Sequence, residues 1–362
     1  MFTLIENGEI YAPEPLGRGS LLLAGGKIVR AGGEIDRAKL DATGLGCDVI
    51  DASGCIVLPG FIDPHQHITG AGGEAGPASR MPEIAIGDIL RAGMTTVIGI
   101  LGTDSTTRHL TSLLAKARGL EEQGITTYIY TGNFQIPPPT FTGSVRDDIV
   151  IIDKVLGVGE IAIADFRSSK PTVQEIARVV SDSVVGGTMS GKAGVTHFHT
   201  GAGREKLGLL HALLDEYSEI PAKNLHATHI TRSHELIEDA VALARRGAYV
   251  DMDTIDPDFG PSYKYYVEHG GPRDRLTVSS DAGAGTSAGT STFYQAFVGA
   301  MRTYSLPVEE ILPCFTFNAA AVLKLPNKGR LKEGADADVL VLNKDSLEIA
   351  HLFAMGNHLL GG

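Results

Sequence analysis

The chain has 362 residues, 43% of them hydrophobic, with 45 glycines and a net charge of −12. That length and apolar content suit one large α/β unit with an appendage, and an acidic balance without a long basic run argues against a nucleic-acid partner. No apolar stretch approaches the about 18 uninterrupted residues of a membrane span, Cys47, Cys55 and Cys314 are too few and too scattered for a disulfide framework or a zinc knuckle, and Met1-Phe2-Thr3 runs straight into strand-like residues without a charged and then apolar leader, so a reduced, cytoplasmic protein is expected.

Residues 1–57 hold short apolar runs at 2–5, 20–24, 27–31 and 48–51. Their length predicts strands, and Gly25-Gly26 between two of them predicts a hairpin turn. From residue 56 onward, β-branched runs alternate with helical periods. The runs at 56–62, 95–101, 126–131, 161–164, 195–199, 225–230, 248–252 and 276–280 predict eight strands. Helical segments fall between them at 82–92, 107–122, 144–155, 172–189, 204–217, 233–246 and 260–269, the clearest being the stripe Leu236, Ile237, Ala240, Val241 and Ala244 behind Ser233. Eight such units in roughly 250 residues predict an α/β fold, a (β/α)8 barrel. Helices are expected at 291–304 and 307–323, then apolar strands at 339–342 and 349–353. The two chain ends are therefore expected to fold together: residues 1–57 and 328–362 as a small β-sandwich domain, residues 58–327 as the barrel.

In such a barrel the reactive side chains stand at the C-terminal ends of the strands. The first strand ends in His65-Gln66-His67. Side chains at i and i+2 of a strand share a face, so both imidazoles point to one place, a donor set that suits zinc, nickel, iron or copper. The fifth strand ends at His199, the sixth at His229 and the eighth at Asp281, while Glu160 is expected at the start of the fourth. The four histidines and Asp281 predict a site for two metal ions, in which Asp281 takes a proton from water and passes it to the leaving nitrogen. Plainer roles are expected of the other histidines. His197 shares the face of His199 but lies deeper, as a supporting or core residue. His226, three residues before His229, is expected on the opposite strand face. His109, His211, His234 and His269 fall in helical segments, and His351 and His358 in the C-terminal β-layer. Asp63 is expected to be structural.

Residues 56–67, the strand-end histidines and Ser279-Ser280-Asp281 together resemble the amidohydrolase superfamily. Gly72-Gly73-Glu74-Ala75-Gly76-Pro77, Gly102-Thr103-Asp104-Ser105, Thr142-Gly143-Ser144-Val145, Ile163-Ala164-Asp165-Phe166-Arg167-Ser168 and His229-Ile230-Thr231-Arg232 carry a narrower likeness to its isoaspartyl (β-aspartyl) dipeptidase family. The resemblance implies zinc-dependent hydrolysis of the β-linked bond of isoaspartyl dipeptides, with two Zn(2+) ions held by His65, His67, His199, His229 and Asp281. It also implies that Glu74 takes the substrate ammonium, Arg167 and Arg232 its carboxylates, and Thr103 a further hydrogen bond, in a homo-oligomer. Two arginines and a glutamate do complement a dipeptide with two carboxylates and one ammonium.

The sequence departs from the family pattern in three places. Glu160 stands where the family bridges its metals with a carboxylated lysine, and is expected to bridge in its stead. It is about three atoms shorter, which calls for a shift of a few ångström. Phe134 stands where a tyrosine polarises the scissile carbonyl, a donor whose loss typically costs about 10²–10³ in rate. The family serine after the aspartate is replaced by Thr286 or Ser287. Glu160 and Phe134 motivate a second reading, an amidohydrolase acting on another small N-acyl amino acid, cyclic amide or imide. A non-catalytic amidohydrolase-like protein is the third and least favoured, because the ligand residues persist.

Overall fold

Gly60 is the residue at which the two parts of the protein meet. The computed structural model describes residues 2–255, 259–285 and 289–361. Strands β1 (Phe2–Tyr11), β2 (Pro15–Ala24), β3 (Lys27–Ala31), β4 (Cys47–Asp51) and β5 (Cys55–Pro59) come first. After Gly60 follow β6 (Phe61–Gln66), β7 (Met94–Gly99), β8 (Thr126–Thr131), β9 (Val155–Ile163), β10 (Val195–Thr200), β11 (Leu225–Thr228), β12 (Tyr249–Asp253) and β13 (Leu276–Ser279). The chain closes with β14 (Val339–Asn343), β15 (Ile349–Ala354) and β16 (Asn357–Leu360).

The expected strand at 56–62 is thus two strands in two sheets. Val57 pairs with Val341 of β14, whereas Phe61 pairs with Met94 of β7. Gly60 permits the passage, because a Cβ there would stand 2.3 Å from Thr95 Cγ2. One sheet runs β16-β15-β14-β5-β1-β2-β3, with β4 beside β1, and joins both chain ends. Gly25 and Gly26 turn β2 into β3 with φ of 56° and 78°, as a type I′ hairpin turn requires.

The other sheet runs β6 to β13 in sequence order, every neighbour parallel. Its two ends close on each other at the rim. The amides of Asp281 and His67 donate to the carbonyls of His65 and Ala282, at 3.2 and 2.9 Å. Asp63 completes the closure, its carboxylate accepting from the backbone N–H of Ser280 and of His65. This is the structural role expected of it. Amphipathic helices cover the barrel. His234–Arg245 buries Leu236, Ile237, Ala240, Val241, Leu243 and Ala244, and the Ser233 side chain caps it by accepting from the Leu236 N–H. The single helix expected at 307–323 breaks at Thr316 into Val308–Phe315 and Phe317–Val322; Pro313, which lacks an N–H, sits just before the break. No helix among the described residues is long and apolar enough to cross a membrane.

Lys328 ties the two sheets together. Its buried ammonium lies 2.7 Å from Asp338 and 3.1 Å from Asp336, and donates to Thr126 at the start of β8 at 2.7 Å. Burial lowers its pKa, but Asp338 and Asp336 outweigh burial and raise it above the ordinary lysine value. A raised folded value means that the contribution is complete below the unfolded lysine value of about 10.4 and fades as pH climbs through the folded one. Lys328→Met leaves the buried Asp338 carboxylate without its cation and Asp336 with Lys27 alone, and is expected to cost about 3–5 kcal/mol, read by urea or thermal unfolding. The difference from wild type should shrink above about pH 10.4.

Candidate metal centre

All six residues of β6 are buried. His65 and His67 leave its end side by side, with their Nε2 atoms 3.4 Å apart. Glu160 is the sixth residue of β9, not the first residue of its strand as the sequence suggested, because the strand begins at Val155. It projects its carboxylate inward. His199 reaches the same point from β10, with Nδ1 2.8 Å from Glu160 Oε1. His229 and Asp281 follow the ends of β11 and β13 with φ of 64° and 48°. Such left-handed backbone costs a non-glycine residue about 1–2 kcal/mol, strain held at the site that the residues build.

The turn at His229 corrects the expected placement of His226. Strand alternation would put the two rings on opposite faces. Because the chain leaves β11 at Thr228 and turns at His229, both rings lie inside the barrel, and His226 contacts His197.

The Glu160 carboxylate stands between two histidine pairs. Oε1 lies 2.8 Å from His199 Nδ1 and 3.1 Å from His229 Nε2, while Oε2 lies 3.4 Å from His65 Nε2 and 3.9 Å from His67 Nε2. Asp281 Oδ1 faces the first pair at 3.3 and 3.1 Å. That oxygen is buried and has no hydrogen-bond donor. Each histidine also ties off its far nitrogen. His67 Nδ1 faces the carbonyl of Ile100, His199 Nε2 faces Asp165 Oδ2, His229 Nδ1 faces Asp253 Oδ2, and His65 Nδ1 faces His197 Nε2. A far N–H donated outward leaves the near nitrogen as a lone pair. Four lone pairs and two carboxylates then face one another within a few ångström, which is repulsive unless cations lie between them. These residues fit two divalent ions, one against His65, His67 and Glu160, the other against Glu160, His199 and His229.

The electrostatics point the same way. Burial works to lower the pKa of His65, but Glu160 and Asp281 outweigh it and raise it to about 9. Burial likewise opposes protonation of His229, but Asp253 and Glu160 raise it to about 10. Burial would raise Glu160, yet His65 and His199 hold it well below the usual carboxylate range. Asp253, raised by burial but lowered more by His229, falls to about 2. This pocket draws positive charge to itself.

Above the histidines lies a small open cavity of about 170 Å³. Glu74, Thr103, Phe134, Arg167 and Arg232 line it. Asp165 holds Arg167 through two contacts of 2.9 Å, and Arg167 also reaches Glu74 at 3.4 Å. Arg232 makes no ion pair among the described residues, and the Thr103 hydroxyl is buried without a partner. The Phe134 ring packs against His199 at 4.5 Å and lies 5.1 Å from the Arg167 guanidinium, with no hydroxyl to offer. Thr286 and Ser287 lie outside the described residues. Asp165 and Asp253 are additions to the expected set. Asp253 is the last residue of β12, one beyond the expected end of that strand. A carboxylate at a strand end is the signal that would have found it.

A family model described as "Amidohydrolase family" matches residues 56–359. The crystal structure of β-aspartyl dipeptidase from the thermophilic, keratin-degrading Fervidobacterium islandicum AW-1 is 40% identical, covers 100% of this chain and 97% of that one, and superposes with a TM-score of 0.95. The structure of that enzyme in complex with the β-Asp-Leu dipeptide gives 39%, 100%, 96% and 0.94. Among curated proteins, imidazolonepropionase of Kosmotoga olearia is 23% identical over 92% of this chain and 87% of its own length. The match to D-hydantoinase of Geobacillus stearothermophilus, 41% identical, is local: it spans 19% of this chain and 13% of that protein. Motif, fold and full-length similarity agree, and the chain belongs to the amidohydrolase family, in the branch that holds the β-aspartyl dipeptidase it resembles.

Proposed function

We propose that the protein hydrolyses the β-linked peptide bond of isoaspartyl dipeptides, releasing aspartate and the second amino acid. The observation that carries this reading is the Glu160 carboxylate shared by two histidine pairs, beneath a cavity lined by two arginines and a glutamate. Full-length likeness to an enzyme crystallised with β-Asp-Leu supports it. His65, His67, Glu160, His199, His229 and Asp281 would hold two ions, and imidazole with carboxylate suits Zn(2+). When bound, such ions polarise a carbonyl and bring the pKa of water towards about 7.

The remaining work falls to the chain's own residues. Asp281 accepts the proton of the attacking water and returns it to the amide nitrogen, so that a C–O bond forms and the C–N bond breaks with no net proton lost. Arg167, fixed by Asp165, and Arg232 bind the two carboxylates of the substrate, and Glu74 binds its ammonium. The partnerless Thr103 hydroxyl supplies a hydrogen bond. Phe134 shields the His199 ring from water and leaves carbonyl polarisation to other groups.

The test is release of aspartate from β-Asp-Leu by zinc-replete protein, with α-Asp-Leu as control. A panel of β-aspartyl dipeptides left intact would sink the proposal. Phe134 and the likeness to imidazolonepropionase favour one second reading, hydrolysis of a cyclic amide. Turnover of cyclic amides with β-Asp-Leu untouched would select it.

The two arginines are expected to behave differently. Arg232→Lys loses a bidentate contact but breaks no ion pair among the described residues, so KM should rise about 10–100-fold with kcat little changed. Arg167→Lys also frees Asp165 from its two-point contact, and kcat should fall together with the rise in KM. Steady-state kinetics on β-Asp-Leu separates the two.

A further inference from the structure

His65 is set apart from the other candidate ligands. Ile100 and Asp253 offer His67 and His229 acceptors that can only accept, and His199 Nε2 lies 3.0 Å from Asp165 Oδ2, an acceptor, and 3.0 Å from the Arg167 guanidinium, a donor. His65 faces His197, a ring whose nitrogen accepts only in one of its two neutral tautomers. What fixes that tautomer lies deeper in the barrel. His197 Nδ1 is 3.0 Å from His226 Nδ1, and His226 Nε2 is 2.8 Å from Thr277 Oγ1. The one proton of the Thr277 hydroxyl can reach Asp251 Oδ1 at 2.6 Å or the Val250 carbonyl at 3.4 Å, both acceptors. Asp251 also accepts from the hydroxyls of Thr228 and Ser279, at 2.7 and 2.6 Å, as a charged carboxylate does. His65, His197, His226, Thr277 and Asp251 are all 0% exposed, so bulk solvent does not reach these contacts. They come from β6, β10, β11, β13 and β12.

We infer that these residues form a relay of fixed proton order that holds the Nε2 of His65 as a lone pair for its metal. Asp251 receives the Thr277 proton, so Thr277 must accept from His226 Nε2–H. His226 Nδ1 then accepts from His197 Nδ1–H, and His197 Nε2 accepts from His65 Nδ1–H. The opposite order would need a protonated Asp251 and would place a proton on His65 Nε2, where the metal belongs. His197, His226, Thr277 and Asp251 are therefore positioning residues, acting through His65 without touching substrate. The Tyr130 ring, stacked 5.4 Å from His197 and 6° from parallel, keeps the His197 plane in line.

The inference rests on the metal-centre reading, and the experiment separates the two. Zinc-free wild-type protein carrying ¹⁵N-histidine should show Nδ1–H on His197 and Nε2–H on His226. A proton on His197 Nε2 or on His226 Nδ1 would overturn the relay, whatever the metal does. Zinc is then titrated against a chelator in wild type, His197→Phe, His226→Phe and His197→Gln. Wild type should take up two equivalents, and failure there would overturn the metal centre itself. His197→Phe and His226→Phe should each weaken one equivalent by about 10–100-fold and leave the other unchanged. The double variant should be no worse than His197→Phe alone. In His197→Gln the amide oxygen accepts from His65 and the NH₂ donates to His226, so affinity should return to near the wild-type value. The relay fails if both equivalents fall together, if neither changes, or if His197→Gln is as weak as His197→Phe. Should a phenylalanine variant not fold, the glutamine variant and the wild-type spectrum still decide.

Discussion

Replacing Asp281 with asparagine is expected to lower kcat on β-Asp-Leu by at least about 10³-fold, with KM changed little. Asparagine keeps the shape and one ligating oxygen of the side chain but cannot accept a proton. Positioned general acid–base groups contribute about 10²–10⁴-fold, and Asp281 is asked to act twice, first on water and then on the leaving nitrogen. Its backbone, at φ 48°, is anchored by the N–H bond to the His65 carbonyl, so the substitution leaves the aim of the side chain intact. Metal content must be counted alongside the rate. A variant that holds both ions and keeps a tenth of the activity would remove Asp281 from proton transfer.

The second large effect concerns Glu160. Glu160→Gln removes the charge that both histidine pairs share, and each should lose affinity together. Residues that merely support a metal ligand cost about 10–100-fold in affinity when removed. A carboxylate common to two ions should cost more than about 100-fold, leaving fewer than two equivalents bound after reconstitution, with activity falling in step. Because glutamate carries its own carboxylate, reconstitution of the wild type should not depend on added bicarbonate, unlike a centre built on a carboxylated lysine. Metal counting by emission spectroscopy with and without bicarbonate checks this, and a requirement for bicarbonate would count against Glu160 as the shared ligand.

Much of this architecture was legible in the sequence because it rests on two periodicities. Alternation of period two brought His65 and His67 to one face, and alternating strand and helix patterns gave the barrel on whose rim the other histidines stand. What escaped was set by single torsions and close approaches, which leave little trace in composition. The division of 56–62 at Gly60 depends on how near Thr95 comes. That His226 and His229 both face inward depends on the left-handed backbone of His229. Asp253 was missed because its strand runs one residue further than its apolar run. The distances of Glu160 from its neighbours could not be read from spacing at all, since β9 starts earlier than the apolar pattern suggests.

The passage through Gly60 has a consequence for the order in which the protein is made. The strand bearing the first two histidines continues from β5, and β5 is paired along its whole length with β14, from Cys55 against Asn343 to Pro59 against Val339. When the barrel strands have all left the ribosome, β1 already stands on one side of β5, but the partner on its other side is still unmade. Contacts so distant in sequence are slow to form, because a long loop must close first. The sheet beneath the first two histidines is therefore completed last, with the return of the chain to its own beginning.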